Sequence, residues 1–358
     1  MINLDDPEIY KKYDPQGMIE DIKALPQLGE QAWKLAMELP LPDDFKQVNK
    51  VVVLGMGGSA IGGDLAASLT DTESSVPIVV SRGYQLPTFV DAETLVIASS
   101  YSGNTEETLS AFKASLDTEA MKLAITTGGR LKELAEEHGV PVFAFDFKGQ
   151  PRAALPFSFI SLLCFMHRLG FIGDRSAEVA EMAAVLTQML KKVNEKVPLI
   201  RNRMKQLAGE LHGRFLVIYG GGLLSGVARR WKTQFNENSK SWAFYENLPE
   251  LDHNAIVGYE FPKELAKNIV VLILRSIHLP ERVMLRQQVT AYLLKQAGIR
   301  YIFVDGFGIT PLTQLMSQVL QGDLASYYLA ILNETDPTPV ETINFLKNAL
   351  SQVKDEEE

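Results

Sequence analysis

The sequence predicts an α/β protein that contains two parallel-sheet domains in tandem. Short apolar runs alternate with helical patterns in two separate parts of the chain, which is the order that parallel βαβ units require. Both parts open in the same way, with an apolar strand, a glycine-rich turn and a helix at 51–69 and 215–233, which indicates an internal duplication. The 358 residues also suffice for two hydrophobic cores.

The candidate strands follow one another along the chain with helices between them. They are KVVVL, PIVVSRG, TLVIASS, MKLAITTGG and VPVFAFD in the first part, and RFLVIYGGG, NIVVLILRS and IRYIFVDG in the second. Stretches such as EETLSAFKASL have helical periodicity, and a further helix is predicted from Glu281 to Gln296. Each apolar run is long enough for a buried strand and too short to span a membrane.

These patterns divide the chain into five parts. In chain order, we predict a helical N-terminal arm (1–45), a first α/β domain (46–174), a helical connector (175–212), a second α/β domain (213–330), and a C-terminal helix with an acidic tail (331–358). The connector is predicted from the helical periodicity of SAEVAEMAAVLTQMLKKVNEKV.

Composition argues against several classes of partner. The formal net charge is −9 and no basic run occurs, so nucleic acid and anionic membrane surfaces are poor candidates. The polar N-terminus has no signal-peptide pattern, and we expect a cytoplasmic protein. The single cysteine, Cys164, lies in the apolar run FISLLCFMHRL and is expected to be buried and inert.

A hydroxyl-rich stretch, SSYSGNTEET, follows the third candidate strand and precedes a helix. Serine and threonine hydroxyls, together with the free amides and the dipole of a helix N-terminus, can bind a phosphate group. Helix capping is the alternative, but it explains only one or two of the five hydroxyls in these ten residues. We therefore predict a phosphate site formed by Gly58 and Ser59 in the first glycine turn and by Ser100, Ser102 and Thr105 in this stretch.

The first glycine turn also fits a dinucleotide-binding motif. GMGGSA matches G-x-G-x-x-A and lies between a strand and a helix, as that motif requires. The second strand, however, ends at Arg82, where an acidic residue would be needed to bind the ribose of NAD. An arginine there is compatible with NADP, so an NADP-dependent dehydrogenase remains an alternative.

The motifs in combination resemble a known family. SYSGNTEET after GMGGSAIGG is similar to the sugar isomerase domain, a flavodoxin-like module that binds phosphosugars. NENSK followed by ENLPELDHNAIVG resembles the bifunctional phosphoglucose/phosphomannose isomerases, a branch of the phosphoglucose isomerase superfamily. The resemblance covers most of the chain and implies two flavodoxin-like sugar isomerase domains, with a helical N-terminal arm and a C-terminal helix.

The resemblance also implies an activity and its residues. The family interconverts glucose 6-phosphate or mannose 6-phosphate with fructose 6-phosphate through a cis-enediol, within glycolysis and gluconeogenesis. Glu237 of NENSK would be the base, since a carboxylate can accept and return a proton on one face of the sugar. His253 would open the ring, Arg152 of GQPRAALP would stabilise the enediolate, and Lys347 would assist ring opening.

The sequence leaves three further points open: the role of two threonines, the preferred sugar and a non-catalytic alternative. Thr338 and Thr342 both lie near the lysine, and either could shape the pocket. The sequence does not predict the preference between glucose and mannose. A non-catalytic phosphosugar-binding sensor remains an alternative, although it would not need the glutamate, histidine and arginine together.

The resemblance implies a homodimer. In the family, the ring-opening histidine reaches the pocket from the neighbouring subunit, so that two subunits share each active site. No histidine and carboxylate spacing resembles a metal site, and we expect catalysis without a metal or a nucleotide cofactor.

Overall fold

The computed structural model describes residues 2–352, which contain two parallel β-sheets surrounded by helices. The strands are β1 (Lys50–Leu54), β2 (Ile78–Ser81), β3 (Thr94–Ser99), β4 (Met121–Thr126), β5 (Val142–Ala144), β6 (Phe215–Gly221), β7 (Ala243–Leu248), β8 (Ile269–Arg275) and β9 (Arg300–Asp305). All neighbouring strands pair in parallel, which confirms the predicted fold class.

The helices cover the faces of both sheets and form the N-terminal arm. They are α1 (Pro7–Tyr13), α2 (Met18–Lys23), α3 (Leu25–Glu38), α4 (Gly57–Thr70), α5 (Glu106–Leu116), α6 (Gly129–Glu137), α7 (Leu155–Arg168), α8 (Ser176–Val193), α9 (Arg203–Leu211), α10 (Ser225–Glu237), α11 (Glu281–Gln296), α12 (Pro311–Leu332) and α13 (Glu341–Gln352). Within residues 2–352, no helix is both long and apolar enough to cross a membrane. The limits of the predicted domains remain predictions.

The first sheet has the strand order β2-β1-β3-β4-β5. After β1 the chain moves to one side of the sheet to form β2, and it then returns to the other side to form β3. The connections after β1 and β3 therefore diverge and leave a crevice at the carboxyl ends of these two strands, where ligands of such sheets bind. The glycine turn follows β1 and the hydroxyl-rich stretch follows β3, so both lie at this crevice.

The second sheet repeats this order without the fifth strand. Its order is β7-β6-β8-β9, so that β6 corresponds to β1 and β8 to β3, in agreement with the predicted duplication. The sequence analysis missed β7. This strand, AFYENL, lies at the sheet edge and carries exposed Phe244 and Glu246, so it lacks the apolar run that marks a central strand.

The core of the second domain is built around α12. Every residue from Leu312 to Leu332 is buried, because this helix packs against α8, α9 and α10. Trp231 of α10 is fully buried against α12, and its indole Nε1 donates a hydrogen bond of 2.8 Å to the Gln318 carbonyl. In the first domain Cys164 is buried on α7, as predicted, and burial raises the pKa of its thiol to about 12.

A substitution at Gly322 tests whether the stability of the protein depends on the close packing of α10 against α12. A Cβ atom on Gly322 would lie 2.5 Å from Trp231 Nε1. We expect Gly322→Ala to lower the free energy of unfolding by about 1–2 kcal/mol, because overpacking outweighs the higher helix propensity of alanine. Gly209→Ala is the matched control: Gly209 is an exposed position of α9 with nothing within 4 Å of an added Cβ, and alanine there should stabilise by about 0.5–1 kcal/mol. Urea denaturation of both variants measures the difference, and equal effects would contradict the packing argument.

Candidate active site

The glycine turn after β1 lies directly against the loop that contains Arg152. Gly57 adopts a left-handed φ of +49°, which glycine tolerates without steric cost, and α4 begins there. A Cβ atom on Gly58 would lie only 3.3 Å from Arg152 Cα. The close approach of these two backbones therefore depends on the absence of a side chain at position 58.

The hydroxyl-rich stretch is joined to the same turn. Ser59 Oγ accepts a hydrogen bond of 3.1 Å from the Tyr101 amide. Buried Ser100 and partly exposed Thr105 share a hydrogen bond of 2.9 Å between their hydroxyls, and exposed Ser102 accepts one of 3.2 Å from the amide of the second residue after it. Thr105 is the N-cap residue of α5, but its side chain makes no capping hydrogen bond. Capping therefore does not account for the Thr105 hydroxyl.

Arg152 joins three distant parts of the chain. Its guanidinium, 5% exposed, donates to Asn238 Oδ1 at 2.7 Å and to the carbonyls of Pro337 and Thr338 at 2.7 and 2.9 Å. Its Nη1 lies 3.5 Å from Glu237 Oε2. Burial lowers the pKa of Arg152 from its ordinary value and the Glu237 carboxylate opposes this shift. The structure thus brings together two of the four predicted catalytic residues, 85 positions apart in sequence (237 − 152).

Glu237 is the last residue of α10, and a buried polar network holds this helix in place. Asp323 of α12 accepts hydrogen bonds of 2.8 Å from both Arg230 and Gln234. Asn238, which follows the helix, donates to Ser326 Oγ at 3.0 Å. The Glu237 side chain itself is 27% exposed, so it combines a fixed backbone with access from solvent.

Lys240 is a charged neighbour of this pair to which the sequence analysis assigned no role. Its ammonium group lies 2.6 Å from the Glu237 carbonyl and 3.3 Å from the Pro337 carbonyl, and its backbone has a left-handed φ of 54°. Burial, together with the charge of Arg152, lowers the pKa of Lys240 to about 8. Its place in the NENSK motif, three residues after the predicted base, is the only sequence signal that could have drawn attention to it.

The structure does not bring His253 into contact with Arg152 and Glu237 of the same chain. His253 is exposed at the end of the 3₁₀ helix Glu250–His253, and among residues 2–352 no hydrogen bond or ion pair involves its imidazole. The preceding residue is fixed, because Asp252 accepts hydrogen bonds of 2.9 Å from Arg286 and Thr290 of α11. His253 is therefore presented on a rigid turn that faces solvent.

Of the three residues predicted near the C-terminus, one lies beside Arg152 and the other two do not. Buried Thr338 contacts Arg152 through its carbonyl, whereas Thr342 lies on α13 and is exposed. Lys347 is also exposed on α13, away from the described contacts of Arg152. Of the two threonines, Thr338 is the one placed beside the arginine.

Two further observations concern cofactors. Arg82, the residue that would meet a ribose phosphate in a dinucleotide site, forms an ion pair with Asp64 of α4, and Arg229 of α10 bonds the same carboxylate. Within the part of the chain that the structure describes, no group of three or more His, Cys, Asp or Glu residues could hold a metal ion.

The pKa of Lys240 predicts a pH dependence of stability. A lysine in the unfolded chain keeps its proton up to its ordinary pKa near 10.4, whereas folded Lys240 releases its proton near pH 8. Between these values the unfolded state binds more protons, so this residue makes stability rise with pH. We expect the unfolding free energy of the wild type to rise relative to that of Lys240→Met between pH 8 and pH 10. Methionine does not titrate, so parallel curves in chemical denaturation at each pH would contradict the prediction.

Comparison with known proteins identifies the family. The bacterial phospho-glucose isomerase C-terminal SIS domain family matches residues 200–350. A bifunctional phosphoglucose/phosphomannose isomerase of Caldicellulosiruptor bescii is 40% identical over 94% of this chain and 100% of its own length. The enzyme of the same name from Aquifex aeolicus is 34% identical over 86% of this chain and 92% of its own length.

A solved structure supports the fold. The C-terminal domain of glucosamine-fructose-6-phosphate aminotransferase from Francisella tularensis matches with a TM-score of 0.71 and 16% identity, over 90% of this chain and 98% of that one. At this sequence identity, the match supports the fold alone. The two isomerases match at higher identity over nearly the whole chain, and this protein therefore belongs to the family of bifunctional phosphoglucose/phosphomannose isomerases.

Proposed function

We propose that this protein interconverts glucose 6-phosphate, and also mannose 6-phosphate, with fructose 6-phosphate through a cis-enediol. One observation carries the proposal: the Glu237 carboxylate lies 3.5 Å from the buried Arg152 guanidinium, beside the Gly58 turn at the crevice of the first sheet. The names of the two relatives support the same reaction. This reaction would place the protein in glycolysis and gluconeogenesis in the cytoplasm.

Glu237 would act as the base. In the open-chain aldose it would remove the proton from C2; the electron pair of the C–H bond then forms the C1=C2 double bond, while the π pair of the C1 carbonyl moves to O1, which takes up a proton to give the enediol. Return of the proton to C1, with loss of the O2 hydroxyl proton and formation of the C2 carbonyl, would give the ketose; the proton lost from O2 balances the one taken up by O1. Its partial exposure, 27%, lets a substrate reach the carboxylate, while the network of α10 and α12 fixes the backbone that carries it.

Arg152 would stabilise the negative charge that develops on the sugar oxygen during this transfer. Its hydrogen bonds to Asn238, Pro337 and Thr338 hold the guanidinium in one orientation before a substrate arrives. A donor that is oriented in advance needs no reorganisation at the moment of reaction, which is the main source of electrostatic catalysis. We assign it the role of enediolate stabilisation for this reason.

The phosphate group would lie in the crevice between the ends of β1 and β3. Ser59, Ser100, Ser102 and Thr105 supply hydroxyls there, and α4 and α5 begin at the same edge of the sheet. Hydroxyls, amides and helix dipoles bind a dianion without a fully charged side chain at the phosphate. In this arrangement Arg152 would remain available for the chemistry.

A homodimer would complete the site. His253 and Lys347 are both exposed and separate from Glu237 in one chain. Helix α13, which carries the lysine, also exposes four large apolar side chains: Ile343, Phe345, Leu346 and Leu350. A continuous apolar helix face of this kind is typical of a protein interface. We propose that a second copy of the chain covers it and supplies its own His253 to the site.

Replacement of Glu237 tests the base. We expect Glu237→Gln to lower kcat by roughly two to four decades and to leave KM nearly unchanged, because glutamine keeps the shape but cannot accept the proton. Glu264→Gln, at an exposed glutamate, is the matched control and should keep full activity. The measurement is a coupled assay on fructose 6-phosphate with no nucleotide in the isomerase step. Retention of most of the rate in Glu237→Gln would remove this residue from the mechanism.

The same assay separates the alternatives. A phosphosugar sensor would bind fructose 6-phosphate without converting it. An NADP-dependent dehydrogenase would give no product until nucleotide is added. Conversion by the wild type in the absence of nucleotide therefore argues against both.

Mixed dimers test the shared site. Glu237→Gln and His253→Ala chains are each expected to be inactive alone. When they are unfolded and refolded together, random pairing makes half of the dimers mixed, and each mixed dimer has one site with both wild-type residues. We therefore expect roughly a quarter of the wild-type activity. If the histidine acted within its own chain, every site would lack one residue and the mixture would stay inactive.

A further inference from the structure

A second cavity lies at the carboxyl ends of β8 and β9, in the domain that carries Glu237. It has a volume of about 230 Å³. Its walls include Arg275 and Ser276 from the end of β8, Asp305 from the end of β9, Gln287 of α11 and Gln314 of α12. None of these residues belongs to the phosphate crevice or contacts Arg152 among the described interactions. The carboxyl edge of a parallel sheet is where α/β proteins bind ligands.

In the first domain, hydrogen bonds join the loops at the corresponding strand ends. There the loops after β3 and β4 are in direct contact, because the Thr127 amide donates to the Tyr101 carbonyl at 3.1 Å and the Arg130 amide donates to Asn104 Oδ1 at 3.1 Å. The loops after β8 and β9 also meet, because His278 Nε2 lies 2.6 Å from the Ile309 carbonyl and the Gly306 amide donates to the Arg275 carbonyl at 2.9 Å, yet a cavity remains at these strand ends.

Two buried glutamines leave acceptors without partners in this cavity. Gln287 is 0% and Gln314 3% exposed, and each donates its amide nitrogen to a backbone carbonyl at 2.7 Å, of Leu274 and of Gly308 respectively. These bonds determine which amide atom is the nitrogen, since a carbonyl must face a donor. Among the described residues, Oε1 of both glutamines has no hydrogen-bond partner. Buried acceptors of this kind need a donor, which a ligand can supply.

The charges in the cavity disfavour an ionic ligand. Arg275 and Asp305 form a bidentate ion pair of 2.7 and 2.9 Å, and the guanidinium lies 4.2 Å from the centre of the Phe303 ring. A phosphate group would meet the two glutamine oxygens and the Asp305 carboxylate, and an ammonium group would meet Arg275. A ligand that donates hydrogen bonds without carrying charge avoids both conflicts.

We propose that this cavity binds an uncharged polyhydroxyl compound, such as a sugar ring without a phosphate group. Its hydroxyls would donate to Oε1 of Gln287 and of Gln314. Exposed Ile277, which lines the cavity, would cover the apolar C–H face of such a ring. The site is separate from the isomerase site and does not depend on the proposed reaction.

Methyl α-D-glucopyranoside is a suitable probe, because it has no phosphate group and cannot open to a reactive aldehyde. We expect isothermal titration calorimetry of the full-length protein to give saturable binding with one site per chain. Saturation with fructose 6-phosphate should not displace the probe. Gln314→Leu, which removes one acceptor, should weaken binding at least tenfold.

A second variant keeps the test valid if the buried substitution impairs folding. Ile277 is 68% exposed and lines the cavity, so Ile277→Trp should obstruct the opening without affecting the core. We expect it to weaken probe binding at least tenfold and to leave isomerase activity at the wild-type level. The absence of saturable binding, displacement of the probe by fructose 6-phosphate, or unchanged affinity in Ile277→Trp would each overturn the proposal.

Discussion

The geometry of the candidate site depends on the burial of one guanidinium. The Arg152 side chain is 5% exposed and donates hydrogen bonds to the Asn238 side chain after α10 and to the Pro337 and Thr338 carbonyls before α13. Its backbone carbonyl accepts a hydrogen bond from Arg230 at 3.1 Å. A charge removed from water requires hydrogen-bond partners on every side, and these partners come from segments far apart in sequence. The need to satisfy Arg152 therefore fixes the first domain, α10 and the C-terminal segment relative to one another.

A second buried arginine, Arg230, also links distant parts of the chain. Arg230 pairs with Asp323 in the middle of α12, a helix that is buried along almost its whole length. Buried ion pairs contribute little net stability, because desolvation offsets their attraction, but they tolerate few alternative geometries. In this protein the pair sets the rotation of α10 against α12. The position of Glu237 at the end of α10 follows from that rotation.

Local pattern predicted most of the fold and only part of the site. Short stretches of sequence were enough to predict the strands with continuous apolar runs, the helix from Glu281 to Gln296 and the duplication. Edge strand β7 could not be predicted in this way, since its exposed side chains remove the apolar signal. The pairing of Arg152 with Glu237 depends on packing between domains, and the altered pKa of Lys240 depends on burial that no neighbouring residue encodes. The cavity between β8 and β9 is likewise a product of loop packing.

The duplication places two different parts of the proposed site in one chain. The equivalent helices α4 and α10 pack against each other, with Gly226 at the start of α10 close to the Asp64 backbone within α4, so that a Cβ there would lie 3.0 Å from the Asp64 carbonyl carbon. Further along α10, Arg230 reaches the Arg152 loop, which in turn touches the start of α4 at Gly58. The two helices therefore run in opposite directions. This arrangement places the end of α10, with Glu237, on the side where α4 begins.

One copy of the ancestral domain can thus supply a helix N-terminus and its hydroxyl loop, while the other supplies a carboxylate from a helix C-terminus. The loop after β8, which reads RSIH where the first copy has SSYS, has only one hydroxyl. The smaller number of hydroxyls in the second copy fits this division, because the proposed base lies beside Arg152 and the Gly58 turn of the first copy.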